Sequence, residues 1–86
     1  MRIVADVRVG QIIHYYDKIG VAVVELSDNL NAGDTIRISG HGNEFTQVVD
    51  SMQIEHEKID TAKKGISVGM KVIQTVREGD EVYKVV

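Results

Sequence analysis

Along most of this chain apolar residues recur at every second position, and the runs are interrupted by glycine and never by proline, of which there is none. A period of two places side chains on one face of a β-strand, whereas a helix would space its apolar residues three and four apart. TIRIS turns Ile36 and Ile38 inward against Arg37, and ISVGMKV sets Ile66, Val68, Met70 and Val72 opposite Ser67, Gly69 and Lys71. IVADVRV alternates in the same way, with Ile3, Ala5, Val7 and Val9 on one face, until Gly10 marks a bulge or bend. VAVVEL follows the turn residues Asp17, Lys18 and Gly20, which predicts a hairpin, and EVYKVV supplies the last strand. FTQVVDSMQIEHE changes parity midway, so a bulge is expected near Asp50. Only KIDTAKKG has room for a helical turn, which Gly65 would end.

Six strands with glycine turns in 86 residues predict one all-β domain over 1–86. A small closed barrel and a sandwich both fit this pattern. Closure is favoured because so small a domain would otherwise carry two apolar open edges. Two stretches, GDTIRI and GDEVYKV, begin with Gly-Asp before an alternating strand. Gly33 and Gly79 suit the positive φ of a turn, and Asp34 and Asp80 suit capping of free N–H groups. With Gly65 they read as turn-structural residues.

Hydrophobic residues make up 43% and charged residues 27%, which suits a folded globular chain rather than a disordered one. Cysteine is absent, so neither disulfides nor thiolate metal sites are expected. Asp6 and Arg8 interrupt the apolar residues near the start, so MRIVADVRVG does not read as a signal peptide. IGVAVV is too short to span a bilayer, and a cytoplasmic location away from membranes is expected. A net charge of -3 argues against wrapping duplex DNA. His14, His41 and His56 lack the spacing of a common zinc motif, so no metal and no cofactor are expected. No nucleophile stands beside a poised base, and the chain reads as no enzyme.

LNAGDTIRISG, VVDSMQIEHE, AKKGISVGMKV and VREGDEVY, in that order, resemble the second domain of translational GTPases such as elongation factor Tu. The resemblance runs from about Val9 to the end and implies a small closed six-stranded Greek-key β-barrel of the translation-protein type. The chain also resembles the small carboxyl-terminal barrel of the collagenase-like peptidase family, some of whose members act in RNA modification. A P-loop of the form GxxxxGK followed by Ser or Thr is missing, so a GTPase domain and a bound nucleotide are not expected.

Two roles follow. The leading one is a stand-alone, non-catalytic, translation elongation factor-like barrel that binds a protein partner, in translation or RNA modification. Its docking patch would comprise Tyr15, Tyr16, Val21 and Val23, because VAVVEL is apolar on both faces. The amino-terminal MRIVAD segment folding over that patch is the alternative use of the same residues. The second role is direct binding of tRNA or other RNA ends. By the resemblance it would use Gln53, His56 and Gly69, helped by Lys63, Lys64 and Lys71. Glu55 and Glu57 flank His56 and would repel a phosphate there.

Overall fold

Among the described residues, every alternating stretch contributes a strand. The computed structural model describes residues 6–85. Its strands in chain order are β1 (Val7–Tyr16), β2 (Val21–Leu26), β3 (Leu30–Asn31), β4 (Thr35–Gly40), β5 (Asn43–Val48), β6 (Met52–Ile54), β7 (Glu57–Ile59), β8 (Thr61–Ala62), β9 (Ser67–Lys71) and β10 (Glu81–Lys84). The protein is all-β, and no helix occurs among the described residues. None is therefore long and apolar enough to cross a membrane. The helical turn expected in KIDTAKKG is instead β7, β8 and a turn, because Ile59 pairs with Met52 and Ala62 with Leu30.

Eight strands form one sheet in the order β5-β4-β10-β1-β2-β9-β6-β7, and β3 pairs separately with β8. The expected ring of six differs from this arrangement, since no backbone ladder among the described residues joins β5 to β7. The sheet is nonetheless curled. Six strand spacings of ~4.8 Å would set β5 and β6 ~29 Å apart in a flat sheet. The chain passes from Val48 to Met52 in four steps that reach at most ~14 Å. Gln47 tightens the curl, as its Nε2 donates to the Lys71 carbonyl at 2.8 Å and its Oε1 accepts from the Ile73 N–H at 2.9 Å. The parity change near Asp50 is therefore a crossing between two ends of the sheet rather than a bulge within a strand.

Bulges do occur in β1. Its pairing with β10 shifts between Arg8 and Gly10, and its pairing with β2 shifts between Ile12 and His14. The first shift breaks the expected face, because Val9 is buried while Val7 is exposed. Ile3 and Ala5, placed on that face from the sequence, lie outside the described residues, as does most of the MRIVAD segment expected to cover the β2 patch. Gly10 lies inside the strand, where a Cβ would overlap the Glu25 backbone carbonyl.

The inward positions form one core. Ile36, Ile38, Val68, Met70 and Val72 are all buried, together with Val9, Ile12, Ala22, Val24, Leu26, Leu30, Met52 and Val82. Three glycine corners seal its rim. The Gly33 N–H donates to the Val49 carbonyl while the Val49 N–H donates to Asp34 O, both at 2.8 Å. Gly79 and Asp80 bracket Ile12 at 2.7 and 2.8 Å, and Gly65 and Ile66 bracket Leu26 at 2.9 Å in both bonds. All three glycines sit near φ +92 to +93, where a Cβ is disfavoured. Each corner thereby satisfies both backbone groups of a buried residue, Val49 just after β5, Ile12 within β1 and Leu26 at the end of β2.

Candidate functional site

The outer face of the sheet carries the candidate site. Cross-strand pairing sets His14, Val23, Gly69, Gln53 and Lys58 in one row over β1, β2, β9, β6 and β7. Tyr16, Val21 and Lys71 form the neighbouring row. Gly69 sits mid-row with no side chain, so Val23 and Gln53 stand as walls with a gap between them. A trough results, in two lobes that share Ile19, Val21, Gln53 and Gly69. One lobe, of about 350 Å³, adds Ser51, Met70 and Lys71. The other, of about 640 Å³, adds Tyr16, Val23, Ile54, Glu55, His56, Ser67 and Val68.

Two sets of residues assigned separately from the sequence thus meet in one place. Tyr16, Val21 and Val23 of the docking patch face Gln53, His56, Gly69 and Lys71 of the RNA-end face. Tyr15 does not join them; it pairs with buried Ala22 and packs against the core. Lys63 and Lys64 also stand outside the trough lining, in the corner before Gly65, where the Lys64 N–H donates to Asn29 Oδ1 at 3.1 Å. Ile19, 61% exposed in the β1–β2 turn, is a contributor that alternation could not reveal, because turn residues have no strand face. Glu55 and His56 form the two-residue turn between β6 and β7, both at positive φ. That geometry is the signature of a type I′ hairpin, and it is reached here without the usual Asn or Gly.

The trough has an apolar side of Tyr16, Ile19, Val21, Val23 and Ile54, and charges at its ends, Lys71 in one lobe and Glu55 in the other. Three cations elsewhere, Arg8, Arg37 and Lys84, are held in ion pairs. Arg8 is bonded to Glu81. Arg37 bridges Glu44 and Asp6, each at 2.7 Å, and lies over the Tyr83 ring at 4.8 Å. Its hydrogen bond to Glu44, aided by the charge of Asp6, outweighs partial desolvation and raises the guanidinium pKa above its ordinary value. Among the described residues no three His, Cys, Asp or Glu side chains gather to hold a metal. His14 stacks edge-on to Tyr16 at 4.3 Å and lies 3.4 Å from Glu78.

The Gly-Asp pairs form two copies of one corner. Asp34 Oδ2 accepts from the Asn31 N–H at 2.9 Å, and Asp80 Oδ2 accepts from the Arg77 N–H at 3.0 Å. In each the aspartate N–H returns to the same residue's carbonyl, at 3.1 Å. Asp80 does more. Its side chain is 6% exposed, against 23% for Asp34, and its Oδ1 lies 2.6 Å from Nδ1 of His41. His41 occupies a positive-φ hairpin position, and Gly40 leaves the space that the Asp80 carboxylate fills. Asp80→Ala should lower stability by about 2–3 kcal/mol and Asp34→Ala by about 1, since bonds to a buried charge are the stronger. Equal losses in urea melts would mean that the His41 contact contributes nothing.

The chain matches no protein-family model. It is 45% identical over 78 residues to an uncharacterized protease of Methanocaldococcus jannaschii, covering 90% of this chain and 19% of that protein. It is 33% identical over 78 residues to a collagenase of Porphyromonas gingivalis, covering 88% of this chain and 22% of the relative. The chain thus spans about one fifth of the curated relatives it matches. It shares its fold with the C-terminal domain of a Geobacillus thermoleovorans protein described as a U32 peptidase. That structure superposes with TM-score 0.85 at 24% identity, over 90% of each chain. Its selenomethionine variant gives TM-score 0.83 at 23% identity, over 87% of this chain and 95% of the other.

These relatives overturn the expected translation role. They carry the names protease, collagenase and U32 peptidase, so the elongation-factor resemblance and the RNA association are not supported, while the collagenase-like resemblance is. The expectation that the chain is no enzyme is corrected on the same ground, since the relatives it matches are named protease and collagenase. The physical reason lies in which residues carried the elongation-factor pattern. Gly33-Asp34, Gly65 and Gly79-Asp80 build corners, and corners report backbone geometry that chains of different function share.

Proposed function

We propose that this chain is the C-terminal-type β module of a collagenase-like U32 peptidase, and that its part in proteolysis is to hold polypeptide substrate in the outer trough. The observation that carries this reading is the convergence of Tyr16, Ile19, Val21, Val23 and Ile54 with the polar Gln53 and Ser67 along one groove. An apolar wall with a few polar groups suits a polypeptide, which offers apolar side chains and backbone amides together. The 45% identity to a protease and the fold shared with a U32 peptidase C-terminal domain support the reading. Glu55 at one end disfavours a phosphate backbone in the same place.

The test is a titration of the isotope-labelled chain with gelatin peptides and with casein peptides, read from backbone amide shifts. Shifts confined to Val21, Val23, Gln53 and Gly69, and insensitive to added salt, are expected. Silence at millimolar peptide, or shifts elsewhere, would sink the reading. Val23→Glu should remove the response while changing stability by about 1 kcal/mol or less, because this outward side chain is only half-buried. Loss of folding in this variant would show that Val23 belongs to the core instead.

A further inference from the structure

We propose that Gly69 is the specificity-determining residue of this trough, a floor left bare so that a bulky apolar side chain of an extended polypeptide can sit over it. The inference rests on the polypeptide-binding reading and names the ligand feature that the site selects.

Seven of the eight glycines have a structural reason to lack a side chain. Gly20, Gly33, Gly42, Gly65 and Gly79 stand at positive φ. A Cβ on Gly10 would overlap the Glu25 carbonyl, and one on Gly40 would overlap the Asp80 carboxylate. Gly69 meets neither condition. It lies mid-strand in β9 outside the left-handed region, and a Cβ there would find Val21 Cγ1 at 3.5 Å and the Gln53 carbonyl oxygen at 3.9 Å, both ordinary contacts. Glycine inside a strand weakens it, so local stability alone would favour almost any other residue. What the missing side chain does provide is the junction of the two lobes, which meet at Gly69 with Val21 on one side and Gln53 on the other.

The shape and chemistry of that junction select the occupant. A trough of two joined lobes suits an extended chain more than a compact molecule. At its centre the walls are Val21, Val23 and the aliphatic part of Gln53, which reward an apolar side chain. Lys71 and Glu55 stand in opposite lobes, beyond the apolar centre, where peptide backbone and charged flanks would lie.

The experiment compares fluorescein-labelled heptapeptides identical except for Gly, Ala, Leu or Phe at the central position, measured by anisotropy against the full chain and against Gly69→Ala and Gly69→Leu. The wild-type chain should prefer the Phe and Leu peptides over the Gly peptide by about tenfold or more, the scale of discrimination in apolar pockets. Gly69→Ala should erode the preference, and Gly69→Leu should abolish it. Both variants should melt at or above the wild-type temperature. Peptides that bind wild type and both variants with one unchanged preference would overturn the assignment of Gly69 and leave the polypeptide-binding reading standing. Failure of every peptide to bind wild type would remove both, as would a short single-stranded oligonucleotide binding there in their place. Unfolding of Gly69→Ala would show the glycine to be structural and would also overturn the inference.

Discussion

Gly10→Ala should be among the most damaging single substitutions in this protein. The added methyl would overlap the Glu25 carbonyl oxygen and come within 2.9 Å of Val24 Cγ1. A flexible side chain could swing away, but the carbonyl belongs to β2, which is held between β1 and β9 by ladders on both sides. Relief requires β1 and β2 to separate where the core residues Val9 and Ile12 lie on either side of Gly10. Overpacking of cores costs roughly 1–3 kcal/mol, and a clash against backbone belongs at or beyond the upper end. An 86-residue domain has roughly 4–13 kcal/mol in total, so urea unfolding should show a loss of a large share of the stability. A midpoint within error of wild type would mean that β1 and β2 leave room for a methyl group at Gly10 after all.

Met70→Ala should lower stability by about 2–5 kcal/mol, the range for a large-to-small change in a closed core. Met70 is 2% exposed and pairs across strands with Met52, itself fully buried, and with Ala22. β6 is held to β9 through only the Met52 and Gln53 positions, so few neighbouring ladder bonds can absorb a cavity there. The two methionines face one space, and their effects should not add. Met52→Ala combined with Met70→Ala should depart from the sum of the singles by more than about 0.5 kcal/mol. A loss of only a few tenths for Met70→Ala would mean that β9 presents its other face to the core.

Much of the fold is legible in the residues. Alternation places Ile36, Ile38, Val68, Met70 and Val72 in the core without reference to any partner strand, because a period of two assigns faces from the chain alone. Val21 and Val23 read as an outer apolar surface for the same reason. The alternation fails at Val7, where the bulge between Arg8 and Gly10 resets the register; a bulge depends on what the neighbouring strand requires, here β10. It also fails in KIDTAKKG, whose short strands are stable only because Met52 and Leu30 offer them pairing.

The candidate site divides along the same line. The residue types at Tyr16, Val21, Val23, Gln53 and His56 attract notice one stretch at a time, yet two separate surfaces and two different ligands are the natural outcome of reading them so. Their union depends on β9 lying between β2 and β6, a pairing of residues 16 to 50 positions apart. Gly69 is the sharpest instance. In the sequence it draws notice only through the elongation-factor resemblance, as part of an RNA-end face, and only the neighbours at 3.5 and 3.9 Å show that nothing in the fold demands its bareness. The chain by itself determined strand faces, corners and core, since these follow from local spacing and from the φ that glycine permits. Strand order, the curl of the sheet and the trough were decided by tertiary structure, because they arise from non-local pairing and from a long crossing compressed into Val49–Ser51.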